Sequence, residues 1–428
     1  MSAEPATIFA VSTGLPPAAI GVIRISGPKA GDALRALAGR DFEPRRASLV
    51  QLRDAAGAVL DEALVLWFPG PRSATGEDCA ELHCHGGRAV LAAVSSALTA
   101  IEGLQPAEEG EFTRRAFVNG RIDLAEAEGL ADLLEAETEL QRAAAMTNVS
   151  GLLSGTVEGW RSTLLALSAQ IESLIDFSDE DDVAETPEGF DGQLINLAQE
   201  IGQFLDRPRS DVLKQGFRVA LAGPPNSGKS TLFNALVEKD AAITSPIAGT
   251  TRDVIERAVA ISGVPFSFVD TAGLRGEGVE SIEALGIERA HAEFEIADVV
   301  LWLGGQGEGP QGAWEVAPKS DVDEFRAKSG TAWAVSAVTG EGVDLLKRAL
   351  IDAAGKTIPK PGEVALNQRQ HMRLSEAYAA LLGAQRQGDL LLVGEELRAA
   401  RLGFDRLIGR ATTEDMLDAL FGRFCIGK

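Results

Sequence analysis

Eight residues, Gly223 to Ser230 (GPPNSGKS), carry the clearest chemistry in the chain. They match G-x-x-x-x-G-K-[ST], follow the apolar run FRVALA and precede TLFNALV. The first run reads as a buried strand and the second as a helix, which is the context the motif requires. A glycine-rich turn there aims backbone N–H groups at phosphate oxygens, and the helix start adds the positive end of its dipole. Asn226, Ser227, Gly228, Lys229, Ser230 and Thr231 are therefore candidate nucleotide contacts. Lys229 is expected to reach the β- and γ-phosphates, and Ser230 to offer its hydroxyl to Mg²⁺.

Two later signals select the nucleotide class. GTTRD, Gly249 to Asp253, supplies Thr250 and Thr251. A threonine at this distance can bind Mg²⁺ and sense the γ-phosphate, and Thr251 is the Mg²⁺ candidate. DTAG, Asp270 to Gly273, closes a strand-like run. Asp270 suits an Mg²⁺ role through bound water and Gly273 a γ-phosphate contact, with Thr271 and Ala272 beside them. The three signals in this order point to a GTPase rather than a kinase or another ATPase. Two departures matter. Leu274 stands where Ras-like enzymes carry the glutamine that orients the attacking water, so another group must do so. The usual guanine-reading Asn-Lys-x-Asp is replaced by PKSD, Pro318 to Asp321. Asp321 can accept the guanine N1 and N2 protons, but Pro318 offers no side-chain hydrogen bond. Ser336 and Ala337, in VSAVTGEG, are the expected backbone contacts to guanine O6.

The elements that must position these residues follow from the pattern of the whole chain. With 428 residues, two to four domains are expected. Residues 1–120 alternate strand-like runs (AIGVIRISG, EALVLWFPG) with the helical GRAVLAAVSSALTAI and read as an α+β domain. From Ile122 to about Ile175 the pattern is continuously helical, and another helix is expected over 191–206. Residues 215–356 alternate strands and helices, with FSFVDTAG, ADVVLWLGG and TAWAVSA as later strands. Residues 357–428 turn helical again, and Thr412 and Asp415 have capping-box spacing before MLDALF. The fold class is thus multidomain α/β plus α. A Ras-like P-loop domain (215–356) is inserted into a discontinuous helical domain (121–214 and 357–428) whose two amphipathic parts are expected to pack together.

Composition narrows the partners. There are 63 Asp+Glu against 40 Lys+Arg, a net charge of −23. A broad basic face for nucleic acid is therefore not expected, and any RNA contact must use a local patch, a cation or a partner protein. One local patch is EFTRRAFVNGR, which reads either as an RNA-phosphate contact or as an ordinary helix cap and surface. His83, Cys84 and His85 in LHCHGG invite a metal reading, but strand alternation puts the histidines and the cysteine on opposite faces. Cys79, Cys84 and Cys425 form no even framework, no transmembrane run is present and the first residues lack a secretory pattern. A cytoplasmic location and no membrane association are expected.

The runs GPPNSGKSTLFNAL, SPIAGTTRD, DTAGLR and GIERA and the closing FCIGK together resemble the bacterial MnmE (TrmE) family of tRNA-modification GTPases. GVIRISG, TGEDCAELHCHGG and EFTRRAFVNGRIDLAEAE extend the resemblance to the N-terminal end. The resemblance implies a homodimer whose GTPase domains pair when GTP and K⁺ are present. Asn226, backbone carbonyls of Ser245 and Ile247, and Thr250 would cage the K⁺. A bland alternative for Asn226 is a loop-stabilising hydrogen bond. The resemblance also implies that a glutamate before GIER positions water, Glu283 with Glu280 as its rival. The N-terminal domain would bind 5-formyl- or methylene-tetrahydrofolate and dimerise, with Arg24, Glu81, Arg121 and the C-terminal Lys428 as folate contacts. Cys425 would be either a nucleophile in uridine chemistry or a small packing residue. The implied activity is addition of a carboxymethylaminomethyl or aminomethyl group to C5 of the tRNA wobble uridine, in a heterotetramer with the FAD-containing MnmG. The rival reading is a regulatory RNA- or ribosome-binding GTPase switch without modification chemistry.

Overall fold

The computed structural model describes residues 6–176, 187–237, 255–270, 292–322, 325, 327–329, 333–360, 362–411 and 413–427. The chain divides into two compact units. One comprises residues 1–131, 154–161 and 401–428, the other 132–153 and 162–400.

The first unit is built on a six-stranded sheet of order β3-β4-β5-β2-β1-β6. Its strands are β1 (Thr7–Val11), β2 (Ile20–Ser26), β3 (Ser48–Arg53), β4 (Val59–Phe68), β5 (Cys79–His85) and β6 (Leu104–Pro106). All neighbours pair antiparallel except β1 and β6, which pair parallel. Alternation along β2 decides which residue meets which layer. Ile23 and Ile25 are fully buried in a core with Leu82, Cys84 and Leu91. Arg24, between them, faces the other side of the sheet, where Ile8, Ala10, Ala107 and Phe112 form a smaller cluster. The helices Ala30–Ala38 and Arg88–Thr99 supply Leu34, Leu37, Leu91, Val94 and Leu98 to the main core.

The second unit holds a six-stranded sheet of order β12-β11-β10-β7-β9-β8. The strands are β7 (Phe217–Ala222), β8 (Ile255–Ile261), β9 (Val264–Asp270), β10 (Val299–Trp302), β11 (Trp314–Pro318) and β12 (Trp333–Val335). Every pairing is parallel except β8 with β9. β7 is buried along nearly its whole length, as a central parallel strand must be. The helices Lys229–Val237 and Val343–Thr357 cover it with Leu232, Leu236, Leu346 and Leu350. In the same unit the helix Phe190–Leu205 packs against Gln368–Ala384, joining the two amphipathic stretches.

Two expectations are corrected. The continuous helix from Ile122 to Ile175 is three helices, Leu124–Glu135, Glu139–Val149 and Leu152–Asp176. Thr138 starts the second one with a reciprocal capping box to Gln141, and Gly151 (φ 76°) separates the second from the third. The stretch between ADVVLWLGG and TAWAVSA, where the sequence reading places no strand, contains β11, and the hairpin strand β8 makes the sheet mixed. At the last helix, Glu414–Phe421, the N-cap is Thr413, with no side-chain cap bond; the Thr412–Asp415 pair expected there lies outside the described residues.

Candidate functional site

The phosphate loop lies where β7 ends and the helix Lys229–Val237 begins. Its backbone turns sharply: Gly223 has φ 151°, Asn226 φ 60° and Gly228 φ 96°. The glycines reach these angles at no steric cost, and asparagine is among the few other residues that tolerate the left-handed region. Asn226, Ser230 and Thr231 are exposed, while Lys229 is only 6% exposed. The Lys229 ammonium donates to Gly223 O at 2.9 Å and Pro224 O at 2.8 Å, which holds it under the loop. Ser227 Oγ is buried with no hydrogen-bond partner among the described residues.

The sheet brings the nucleotide-class signals to this same edge. Asp270 ends β9 and pairs with Leu221 of β7, one residue before that strand closes. The C-terminal edge of a parallel sheet is where doubly wound folds bind ligands. PKSD begins at the end of β11, and Lys319 (φ 62°) donates from Nζ to Asn226 O at 3.0 Å. This contact ties the base-reading segment to the phosphate loop. The sequence reading passed over Lys319, although its place in the motif was a usable signal. Ser320 N–H donates to Val335 O at 3.1 Å, joining PKSD to the turn that holds Ser336 and Ala337. Ser336 is fully buried, and its Oγ accepts from Thr339 N–H at 3.1 Å. Asp321 is exposed at the same edge. Ser245, Ile247, Thr250, Thr251, Thr271, Ala272, Gly273, Leu274, Glu280, Glu283 and Lys428 lie outside the described residues.

On the outer face of the first sheet, Arg24 sits in register with Glu81 of β5. Its Nη2 and Nε donate to Glu81 Oε1 at 3.0 and 3.2 Å, and Phe112 lies 5.9 Å from its guanidinium carbon. His83 Nε2 lies 3.2 Å from Glu81 Oε2. A second network runs alongside. Ser26 Oγ donates to Glu77 Oε2 at 2.7 Å and shares a 2.7 Å hydrogen bond with Thr75 Oγ1. Arg115 bridges Glu77 and Glu111 at 3.1 and 2.8 Å. Of these residues, sequence reasoning singled out Arg24 and Glu81 as folate contacts. The TGED run, holding Thr75 and Glu77, was the available signal for the rest. Arg121 is exposed and its N–H donates to Ala116 O at 2.8 Å.

Two of the three arginines of the local basic patch are paired: Arg115 as above, and Arg114 with Glu414 and Asp418 at 2.5 and 2.8 Å. The LHCHGG residues do not converge either. Cys84 points into the core, where burial, helped by the charge of Asp61, pushes its thiol up to about 12. His85 Nδ1 is 2.7 Å from Asp61 Oδ1, and no group of three metal-ligating side chains exists among the described residues.

The chain end is docked. Phe424 is 3% exposed in a cluster with Leu124, Leu417, Leu420 and Phe421. Ile426 bridges to Glu109, and Ser12 Oγ donates to Gly427 O at 2.9 Å. Gly427 has φ 94°, and a side chain there would meet Val11 O at 2.4 Å, so only glycine fits. Cys425 is an exposed free thiol between these anchors.

Residues 7–121 match the family described as "GTP-binding protein TrmE N-terminus", and residues 124–425 match "MnmE helical domain". The chain is 62% identical over 422 residues to the tRNA modification GTPase MnmE of Erythrobacter litoralis, covering 99% of this chain and all of that one. The MnmE of Novosphingobium aromaticivorans is 59% identical over 434 residues, covering 99% of both chains. That of Sphingopyxis alaskensis is 52% identical over 420 residues, covering 95% of this chain and all of that one.

Proposed function

Since the chain belongs to the MnmE family of tRNA modification GTPases and is a GTP hydrolase, we propose that it spends GTP on modifying C5 of the wobble uridine in tRNA. The observation that carries this reading is the phosphate loop, held between β7 and its helix with Lys229 buried beneath it and Lys319 tied to it. The loop N–H groups and Lys229 would hold the β- and γ-phosphates, and Asp321, Ser336 and Ala337 the guanine. Ser230, on the loop, and Asp270, at the neighbouring strand end, would hold Mg²⁺, with Thr251 completing the site. Mg²⁺ there would neutralise charge on the β- and γ-oxygens. The exposed Asn226 fits a K⁺ ligand beside the phosphates, with Ser245, Ile247 and Thr250, and Glu283 would position water. K⁺ would neutralise charge that develops during transfer. Equal turnover in sodium and potassium would sink the Asn226 part.

The half-buried Arg24–Glu81 pair, with Arg121 and Lys428, would hold the pterin and the anionic tail of a formyl- or methylene-tetrahydrofolate. Glu81 already meets Arg24 at Oε1 and His83 at Oε2, and its remaining lone pairs would accept from the pterin. In this reading residues 1–120 bind folate and dimerise, 215–356 hydrolyse GTP, and 121–214 with 357–428 relay motion between them. The partners are a second copy, the FAD-containing MnmG and tRNA, in the cytoplasm. Among the described residues no helix is long and apolar enough to cross a membrane.

The test is the wobble uridine of tRNA from a strain lacking this gene. Unmodified C5 is expected, restored by the full chain. A chain ending at Phe424 is expected not to restore it while keeping GTP hydrolysis. Normal uridines in the deletion strain would overturn the proposal and leave the regulatory switch.

A further inference from the structure

A cavity of about 90 Å³ lies within the second unit, where the helix Glu139–Val149 meets the helix Asp211–Gln215. A single water needs roughly 10–15 Å³ by the same measure, so this space admits a group of several heavy atoms. Its apolar lining comes from Ala144, Ala145 and Leu213. Its charged lining is Asp132, Glu135 and Lys214, with Lys214 Nζ 2.5 Å from Asp132 Oδ1. Two carboxylates against one ammonium leave the lining net negative.

Two further polar groups are unspent. Asn148 Oδ1 and Ser210 Oγ both belong to lining residues, and each residue is only 6% exposed. Neither atom has a hydrogen-bond partner among the described residues. A buried acceptor without a partner costs more than an ordinary hydrogen bond returns, so such a pair calls for an explanation. Gln141, in the same lining, shows the contrast. Its Nε2 donates to Leu213 O at 2.8 Å, and its Oε1 accepts from Glu137 and Thr138 N–H at 2.9 Å each.

Negative lining, free acceptors and apolar methyl groups together define the occupant. An anion would be repelled by the carboxylates. A purely apolar group would leave Asn148 and Ser210 unsatisfied. We propose that this cavity binds a protonated primary amine on a short aliphatic stem. Its ammonium would donate to Asn148 Oδ1 and Ser210 Oγ and face the carboxylates, with its methylenes over Ala144, Ala145 and Leu213. A free small amine and a lysine side chain of a partner share this chemistry. The helix Asp211–Gln215 leads into the start of β7, whose far end carries the phosphate loop. The inference does not depend on the folate or potassium readings.

The test is calorimetric titration of the full chain with n-butylammonium, with n-butanol as the neutral control and Nα-acetyl-lysine amide as the peptide-lysine probe. Saturable binding of n-butylammonium is expected, none of n-butanol, and about tenfold or greater weakening in both Ser210→Ala and Asn148→Leu. Both variants are expected to keep wild-type circular dichroism and GTP hydrolysis, since neither residue touches the phosphate loop. Tighter binding of the lysine derivative than of n-butylammonium supports the site and assigns it to a partner's lysine. The reverse order supports it and assigns it to a free amine. No saturable binding, equal binding of n-butanol, or affinities unchanged in both variants would overturn it.

Discussion

Two clusters of charged residues can be set side by side: the face of β2 and β5 that carries Arg24 and Glu81 in the first unit, and the phosphate loop in the second. On the sheet face, side chains answer one another. Arg24 meets Glu81, Glu81 meets His83, and Arg115 meets both Glu77 and Glu111. At the loop, the Lys229 ammonium rests on the loop's own carbonyls, and Ser227 Oγ has no partner among the described residues. The first cluster is part of what holds its sheet together. The second, in the proposed function, is a cradle for the phosphates of GTP. Substitutions in the two clusters should therefore fail in opposite ways: one in stability, the other in chemistry.

The largest effect is expected at Lys229. Lys229→Ala removes the charge proposed to hold the β- and γ-phosphates and keeps a good helix former at the start of the helix. GTP turnover should fall by about 10²–10³-fold, the usual loss when one well-placed donor to developing charge is removed. The melting temperature should barely move. Steady-state hydrolysis and a thermal melt decide it together. A variant that loses stability along with turnover would show that the loop is also a structural cluster, and the contrast would collapse.

The next effect is expected at Arg24. Arg24→Met keeps an apolar stem over Phe112 but strands Glu81 half-buried, with His83 as its remaining neighbour. The pair is about a quarter exposed, at 27% and 21%. Its loss should fall between that of a surface pair, below about 1 kcal/mol, and that of a buried pair, about 3–5 kcal/mol. A loss of about 1–3 kcal/mol is expected. Native-state hydrogen exchange of the β2 and β5 amides reads it locally, and GTP turnover should be unchanged. Unaltered protection would mean that the pair does no structural work and is there for a ligand alone.

How each cluster could be read from the sequence follows from how local its physics is. The phosphate loop is contiguous, so its motif names most of its members. The strands β2, β4, β7, β9 and β10 announce themselves by apolar runs ended by turn residues. The sheet-face network is not contiguous. Arg24 and Glu81 meet because β2 and β5 pair with a separation of 57 residues, and Arg115, on the helix Glu111–Val118, reaches Glu77 in the loop before β5. Only the family resemblance singled out Arg24 and Glu81 beforehand. Two local signals were present and passed over. Thr138-Glu139-Leu140-Gln141 has the spacing of a capping box and breaks the supposed continuous helix. Trp314-Glu315-Val316-Ala317-Pro318 alternates like a strand, and its terminal proline disguises it. The docking of the chain end was legible from the apolar face of MLDALFGRF, whereas its anchor on Ser12 was not, since that bond spans 415 residues.

The smallest effect tests whether pairing, rather than burial, is what makes carboxylates on the first unit favourable. Glu126 is a half-buried carboxylate of that unit whose hydrogen bond comes from the Asp123 backbone N–H at 2.8 Å rather than from a cation. Burial pushes its pKa above the ordinary carboxylate range; that N–H lowers it, and the charge of Asp123 raises it. The sign follows from proton binding. In the window between the ordinary and the raised value, the folded chain holds a proton that the unfolded chain has released. Stability from this group is therefore greatest below the ordinary value and is lost as pH rises through the raised one. Glu126→Gln keeps an acceptor for Asp123 N–H and removes the charge. At about pH 7 the variant should melt slightly higher than the wild type, and at about pH 4, where Glu126 is largely protonated, the two should converge. A variant that melts lower at neutral pH would show that the charge itself is stabilising there. The helix start, rather than a salt bridge, would then be enough to hold it.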